Sequence, residues 1–183
     1  MKRRAAFTFI GKDRPGIVAG VSQAFFRSGC NIEDTTMTLL ENQFAMILIV
    51  TIPSLFAEKQ LKQRFDKFRR KWGLNYFKKI VSSDWMPGEK HPPGTRTYLI
   101  TVAGKDRTGI VYETSRIAAA AHLNITDLNS KVVGKGEKSV FLMMLEVDVP
   151  KGFQWKRLEP AWKKLKNRLG VDVRLKLLEQ LTL

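Results

Sequence analysis

Gly11-Lys12-Asp13-Arg14-Pro15-Gly16-Ile17-Val18 returns 93 positions later as Gly104-Lys105-Asp106-Arg107-Thr108-Gly109-Ile110-Val111. The same offset carries Asn31-Ile32 onto Asn124-Ile125 and Asp34 onto Asp127. Beyond these the offset becomes 97, mapping Phe44 to Phe141, Met46 to Met143, Pro53 to Pro150, Leu61 to Leu158 and Gly73 to Gly170. Four residues have been gained, in the stretch Gly134-Lys135-Gly136-Glu137, which reads as a longer hairpin. Insertions collect at such solvated tips because no core has to be rearranged there. A long period repeated once predicts two domains of roughly 80 to 90 residues rather than a solenoid.

Within the first copy, Ala5 to Ile10 is a short apolar strand, and Pro15 to Ser28 spaces Ile17, Val21, Ala24 and Phe25 as a helix does. Strands over Glu33 to Leu40 and Phe44 to Ile52 follow, joined by a Glu41-Asn42 turn. Leu61, Phe65, Phe68 and Trp72 form the stripe of a second helix that Gly73 ends, and Leu74 to Val81 is a last strand. The second copy predicts strands over 97–103, 127–133, 138–149 and 171–178 and helices over 108–121 and 158–169. Pro160 places the start of the last helix near Glu159, because proline is tolerated only in a first turn. The order strand, helix, strand, strand, helix, strand predicts an α+β chain of two ferredoxin-like domains, each an antiparallel sheet with both helices on one face. The domains are read as 1–81 and 97–183, with the Pro/Gly-rich stretch 82–96 as linker.

Phe44 to Val50 and Val140 to Leu145 are apolar without alternation, so each of these strands puts apolar side chains on both sheet faces. One face meets the helices. The other is expected to be covered by pairing of the two sheets or by homodimerisation.

Composition narrows the chemistry. No apolar run approaches the roughly 20 residues of a membrane span, and Met1 to Arg4 followed by Ala5 to Ile10 imitates a signal peptide only until Gly11-Lys12-Asp13-Arg14 interrupts it. The reading is a cytoplasmic chain without a membrane partner. A single cysteine, Cys30, excludes an internal disulfide, and its alignment with Leu123 reads as a buried apolar position. With two histidines, His91 in the linker and His122 at a helix end, no metal site or catalytic base is expected. Apart from the Asp-Arg loop, the chain repeats no set of positioned acids, bases and nucleophiles, so it does not read as an enzyme and no cofactor is expected.

The segment Asp13-Arg14-Pro15-Gly16 joins a strand to a helix, where unpaired N–H groups and the positive end of the helix dipole face outward. A small carboxylate suits that place. Gly16 and Gly109 allow close approach, Asp13 and Asp106 are expected to cap the first turn, and Asn31 and Asn124 offer an amide that donates and accepts. By spacing alone, the same residues suit a helix cap as well as a ligand cradle.

The strand, the Asp-Arg-Pro-Gly-Ile-Val turn and helix, and Asn-Ile opening the second strand resemble the ACT signature, twice over almost the whole chain. Two ACT units and nothing else resemble the glycine cleavage system transcriptional repressor group of bacterial regulators. The resemblance implies small-molecule sensing, usually of amino acids, where the first loop of one unit meets the second strand of another. By position it implies contacts from Asp13, Arg14, Pro15, Gly16, Ile17 and Asn31, and from Asp106, Arg107, Thr108, Gly109, Ile110 and Asn124. Thr108 departs from the usual proline, which frees its N–H and loosens the loop. The formyltetrahydrofolate deformylases carry a similar N-terminal unit, but the second copy stands where their catalytic portion would be.

The net charge of +15 is concentrated. Residues 54–72 hold seven Lys/Arg against Glu58 and Asp66, and residues 151–169 hold seven against Glu159. These bases lie opposite the apolar stripes, a pattern that suits a solvated face, a nucleic acid or an acidic regulatory protein. The sequence therefore reads as a regulator that senses an amino acid and changes its affinity for a partner, in transcriptional regulation of amino acid metabolism. The alternative is a basic nucleic-acid-binding protein using the second helices, and a third reading is a structural module that kept only the fold.

Overall fold

The computed structural model describes residues 2–82, 91–136 and 139–178. It contains two compact units, Met1–Glu89 and Lys90–Leu183. The first runs β1 (Arg3–Lys12), α1 (Ile17–Arg27), β2 (Asn31–Leu40), β3 (Gln43–Ile52), α2 (Leu55–Trp72) and β4 (Asn75–Ile80). The second runs β5 (Thr95–Gly104), α3 (Ile110–Ala120), β6 (Asn124–Val133), β7 (Val140–Pro150), a 3-10 turn (Trp155–Leu158), α4 (Glu159–Leu169) and β8 (Val171–Leu177). The sheets have strand orders β2-β3-β1-β4 and β6-β7-β5-β8, antiparallel throughout, so each unit is ferredoxin-like as expected.

Local chemistry explains the boundaries. Glu41 and Asn42 both take positive φ, closing β2 and β3 with the two-residue turn whose twist matches a hairpin. Ser54 caps α2, its Oγ accepting from the Ala57 N–H at 3.2 Å, and left-handed Gly73 ends it. Pro160 lies in the first turn of α4, where its missing N–H costs nothing, and Gly170 closes that helix as Gly73 closes α2. β2 and β6 begin earlier than the alternation indicated, because a bulge after Ile32 and after Ile125 breaks the period that marks a strand in sequence. Thr95 and Arg96, assigned to the linker by composition, are the first residues of β5 and pair with Pro150 and Val149. Of the longer hairpin, Gly134 to Gly136 turn after β6, while Glu137 lies outside the described residues, as do 83–90 of the linker.

Even-numbered residues of β3 from Phe44 to Ile52 are buried under the helices with Phe7 and Phe9 of β1. Phe7 meets Phe25 edge-on at 5.1 Å and Phe9 meets Phe65 at 4.9 Å, so α1 and α2 are joined to the sheet through one aromatic cluster. The second core substitutes Ile100, Val102, Met143, Leu145 and Trp162. The apolar stripe of α2 is sealed only in its first half: Leu61 and Phe65 are buried, whereas Phe68 and Trp72 are half-buried and stack on each other at 4.7 Å. Cys30 is half-buried rather than fully buried, packed beside the first core, where burial pushes its thiol up. On the helix-free faces, Ile10, Ile47 and Phe77 of the first sheet and Val140 and Met144 of the second are exposed.

His91 does more than link. Its Nδ1 lies 2.6 Å from Oδ1 of Asp148, a side chain 2% exposed, and 3.4 Å from Thr97 Oγ1. The end of the linker is thereby fastened to the helix-free side of the second sheet.

The first glycine of each repeated octapeptide has a packing duty that sequence alone did not reveal. A Cβ on Gly104 would stand 2.8 Å from the Gly170 carbonyl and 2.9 Å from Val171 Cα, and one on Gly11 3.1 Å from the Gly73 carbonyl. Backbone cannot swing aside as a side-chain end does. Gly104→Ala is therefore expected to cost about 1–3 kcal/mol, with Gly11→Ala costing less, as measured by urea denaturation. Equal stability of Gly104→Ala and wild type would contradict this packing.

Candidate functional site

Each Asp-Arg loop turns a strand into a helix through a left-handed glycine. Gly16 is the N-cap of α1 with φ 93°, and Gly109 the N-cap of α3 with φ 97°. That backbone region is open to glycine and strained for residues with a Cβ. The first backbone bonds of these helices run from Gly20 N–H to Gly16 O and from Glu113 N–H to Gly109 O, both 2.9 Å. The preceding amides, those of Ile17, Val18 and Ala19 and of Ile110, Val111 and Tyr112, therefore have no partner inside the helix.

The expected capping by Asp13 and Asp106 is not found: neither helix has a side-chain cap hydrogen bond. A capping side chain must come from the N-cap residue itself, and glycine holds that position three residues after each aspartate. Instead, the Asp13 backbone N–H donates to the Asn42 carbonyl at 2.9 Å, fastening the first loop to the β2–β3 turn. The amides of the helix start have no side-chain cap, and Asp13 lines the same depression as Ile17, Val18 and Ala19.

Asp13, Arg14, Pro15, Gly16 and Ile17 line one open depression of about 600 Å³, together with Met37 of β2 and Phe44 of β3. The structure thus brings five of the six predicted residues of the first unit together. Asn31 is not among them. It opens β2 opposite Thr51, whereas the loop follows Lys12 opposite Gln43, eight residues along β3, or roughly 26 Å away. Asn124 opens β6 opposite Asp148, likewise at the end of its sheet away from Asp106 to Ile110. Within its own unit, neither asparagine reaches the loop.

Met37 was missed by the sequence reading. It is 51% exposed on the side of β2 that faces the helices, because β2 is an edge strand that α1 leaves uncovered. Its alternation with Leu39 was the available signal. The second unit has Ser130 in that place, paired with Met143 as Met37 pairs with Met46, so the floor beside the second loop is more polar.

The ACT domain family profile matches residues 6–78 and 96–176. The chain belongs to the ACT domain family. A UPF0237 protein of Streptococcus mutans is 42% identical over 65 residues, 36% of this chain and 74% of that protein. Two solved structures are similar over both units at once. A protein of unknown function from Galdieria sulphuraria superposes with a TM-score of 0.79 at 23% identity, covering 98% of this chain and all of that one. A candidate glycine cleavage system transcriptional repressor superposes with a TM-score of 0.70 at 19% identity, covering 98% and 99%. At those identities the likeness is one of fold, and it extends to the tandem of two ACT domains. No helix among the described residues is long and apolar enough to cross a membrane. Nor do those residues contain a cluster of three metal-binding side chains.

Replacing Gly16 or Gly109 by alanine is expected to cost roughly 1–2 kcal/mol, through the strain of a Cβ at positive φ. Asparagine, which tolerates that region, should cost less at either position. Thermal denaturation of the four variants checks this, and alanine variants as stable as wild type would contradict the loop geometry.

Proposed function

We propose that this protein is a non-enzymatic regulator whose ACT loops bind a small carboxylate ligand, an amino acid, and that binding alters its interaction with a partner. The observation that carries the reading is the pair of helix starts opened by bare left-handed glycines, the first of them above a depression of about 600 Å³. Uncapped first-turn amides and the helix dipole together favour an anion. Asp13 beside them supplies the opposite charge that an α-ammonium group requires. Asn31 and Asn124 enter such a site only where the loop of a different module is presented to them. The likeness to a candidate glycine cleavage system transcriptional repressor supports a role in controlling amino acid metabolism.

The two sites are expected to differ. Pro15 fixes its backbone and lacks an N–H, whereas Thr108 keeps one, and Met37 is replaced by Ser130. A ligand alters affinity for a partner only by binding two states unequally, so association of modules through the apolar helix-free faces is the equilibrium on which it would act.

Thermal-shift measurement against the twenty amino acids tests the proposal. At one hundred times its Kd a ligand stabilises by about 2.7 kcal/mol. At least one amino acid should raise the melting temperature, and Gly16→Ala together with Gly109→Ala should abolish the shift. A flat response to all twenty would contradict it.

A polyanionic partner is favoured by one further observation: Lys59, Lys62, Lys67, Arg69, Arg70 and Lys71 of α2 are all exposed. Such a surface attracts phosphates without reading sequence. Retention of nucleic acid that falls steeply with added salt, and is lost on reversing these charges, is the expected result. No retention at low salt would overturn it.

A further inference from the structure

The two units differ in a cleft between their second helix and their last strand. In the first unit it encloses about 420 Å³, within the roughly 300–1,000 Å³ of small-molecule pockets. Phe7, Leu61, Phe65 and Tyr76 form its floor. Tyr76 is the half-buried ring among them, packed on Phe65 at 5.1 Å, and Leu55 stands 73% exposed at the mouth.

The second unit shows what fills this space when it is not kept open. The offsets of the repeat place Trp155 at Glu58, Phe153 at Phe56 and Tyr98 at Ala5. Trp155 packs against Tyr98 at 5.0 Å and against Phe153 at 5.3 Å, and all three rest on the second core. The depression between α4 and β8 is confined to the stretch beyond them, lined by Trp162, Val173 and Leu175 among others. In the first unit, Ala5 supplies no ring and Phe56 is turned out to 70% exposure. A carboxylate, Glu58, occupies the place of the tryptophan.

Charge distinguishes the clefts further. Arg3, Lys59, Lys62 and Lys78 surround the first one, against Glu58 alone. Glu58 bonds both Lys78 and Arg3, which hold its carboxyl below the usual carboxylate range, so the salt bridge persists at neutral pH and fixes two of the four cations. Lys59 and Lys62 remain exposed. The counterparts of Lys62 and Lys78 in the second unit are Glu159 and Leu175. The second cleft, about 360 Å³, keeps only two lysines, Lys163 and Lys166, against Glu159, so the larger excess of positive charge lies over the apolar floor of the first unit.

We propose that this cleft is a binding site, distinct from the Asp-Arg loop, for a small organic anion with an apolar body of aromatic size. The body rests on Tyr76 and Leu55, and the anionic group meets the lysines of the rim. Burial of the body supplies affinity, and the charge selects acids over amines of the same shape.

The test is a titration of the full chain, followed by 1H–15N correlation spectra, with 3-phenylpropanoate and in parallel with 3-phenylpropylamine. The acid should give saturable shifts confined to residues 55–65 and 75–78, with the amine binding about tenfold or more weakly. Glu58→Trp, which installs the filling residue of the second unit, should weaken the acid by a similar factor. Lys78→Leu should do the same, and it decides the matter if the tryptophan variant fails to give a dispersed spectrum. Equal binding of acid and amine, shifts located at the Asp-Arg loop instead, no shifts at all, or wild-type affinity in Lys78→Leu would each overturn the proposal.

Discussion

A glycine in left-handed conformation at the start of a helix is the constraint on which each unit depends. It lets the chain leave the central strand, reverse within a few residues and send α1 or α3 back across the sheet it has just built. It also removes the side chain that would ordinarily cap the helix, so the first-turn amides end without internal partners. Fold and site are thus set by one residue. The remaining parts of the octapeptide serve the same corner: Gly11 and Gly104 let the strand end press against the junction of second helix and last strand, and the Asp13 amide ties the loop to a hairpin turn. In that corner, room for backbone decides the sequence.

The repeat preserved this backbone while replacing nearly every polar arrangement built on it. In the first unit the bulge at Ile32 leaves Glu33 outside the strand register, and its carboxylate receives Arg4 at 2.8 Å and the Thr51 hydroxyl. In the second unit Thr126 takes the bulged position and donates to Glu146 at 2.8 Å, while Asp148 replaces Thr51 and receives His91. Between the helices, the close approach of Trp72 to Gly20 gives way to Glu113, bound by Arg168 and Arg116, which hold its carboxyl below the usual range. Sheet geometry tolerates such exchange because hydrogen bonds of the ladder are made by backbone and are indifferent to side-chain identity. What the two copies share is therefore a scaffold, and where they differ they offer different surfaces.

Most of the fold could be read directly from the chain. Helix boundaries followed from punctuation that acts locally, as Gly73, Gly170 and Pro160 show, and the ferredoxin-like fold class followed from the repeat and the order of elements. Alternation alone started these strands late, at Glu33 and residue 127, because a bulge shifts the signal by which a strand is recognised, whereas the family resemblance has Asn31 and Asn124 open them. His91 was read as linker because nothing near it in sequence announces a buried carboxylate 57 positions away. For the site, the loop residues were legible because they are contiguous, and contiguity survives folding. The expected aspartate caps failed because a cap depends on which single residue sits at the helix boundary, and the glycine three places later took that position. The distance between Asn31 and its own loop is a property of strand length, visible only once the register of β2 with β3 is known.

The central claim is that the amides at the two helix starts receive a carboxylate. Backbone amide chemical shifts of Ile17, Val18 and Ala19, and of Ile110, Val111 and Tyr112, followed while the full chain is titrated with the amino acid that most raises its melting temperature, address it most directly. The account predicts saturable shifts at one of these triplets or both, larger than those at any helix C-terminus. An amino acid that stabilises the protein while leaving all six amides unmoved would contradict it.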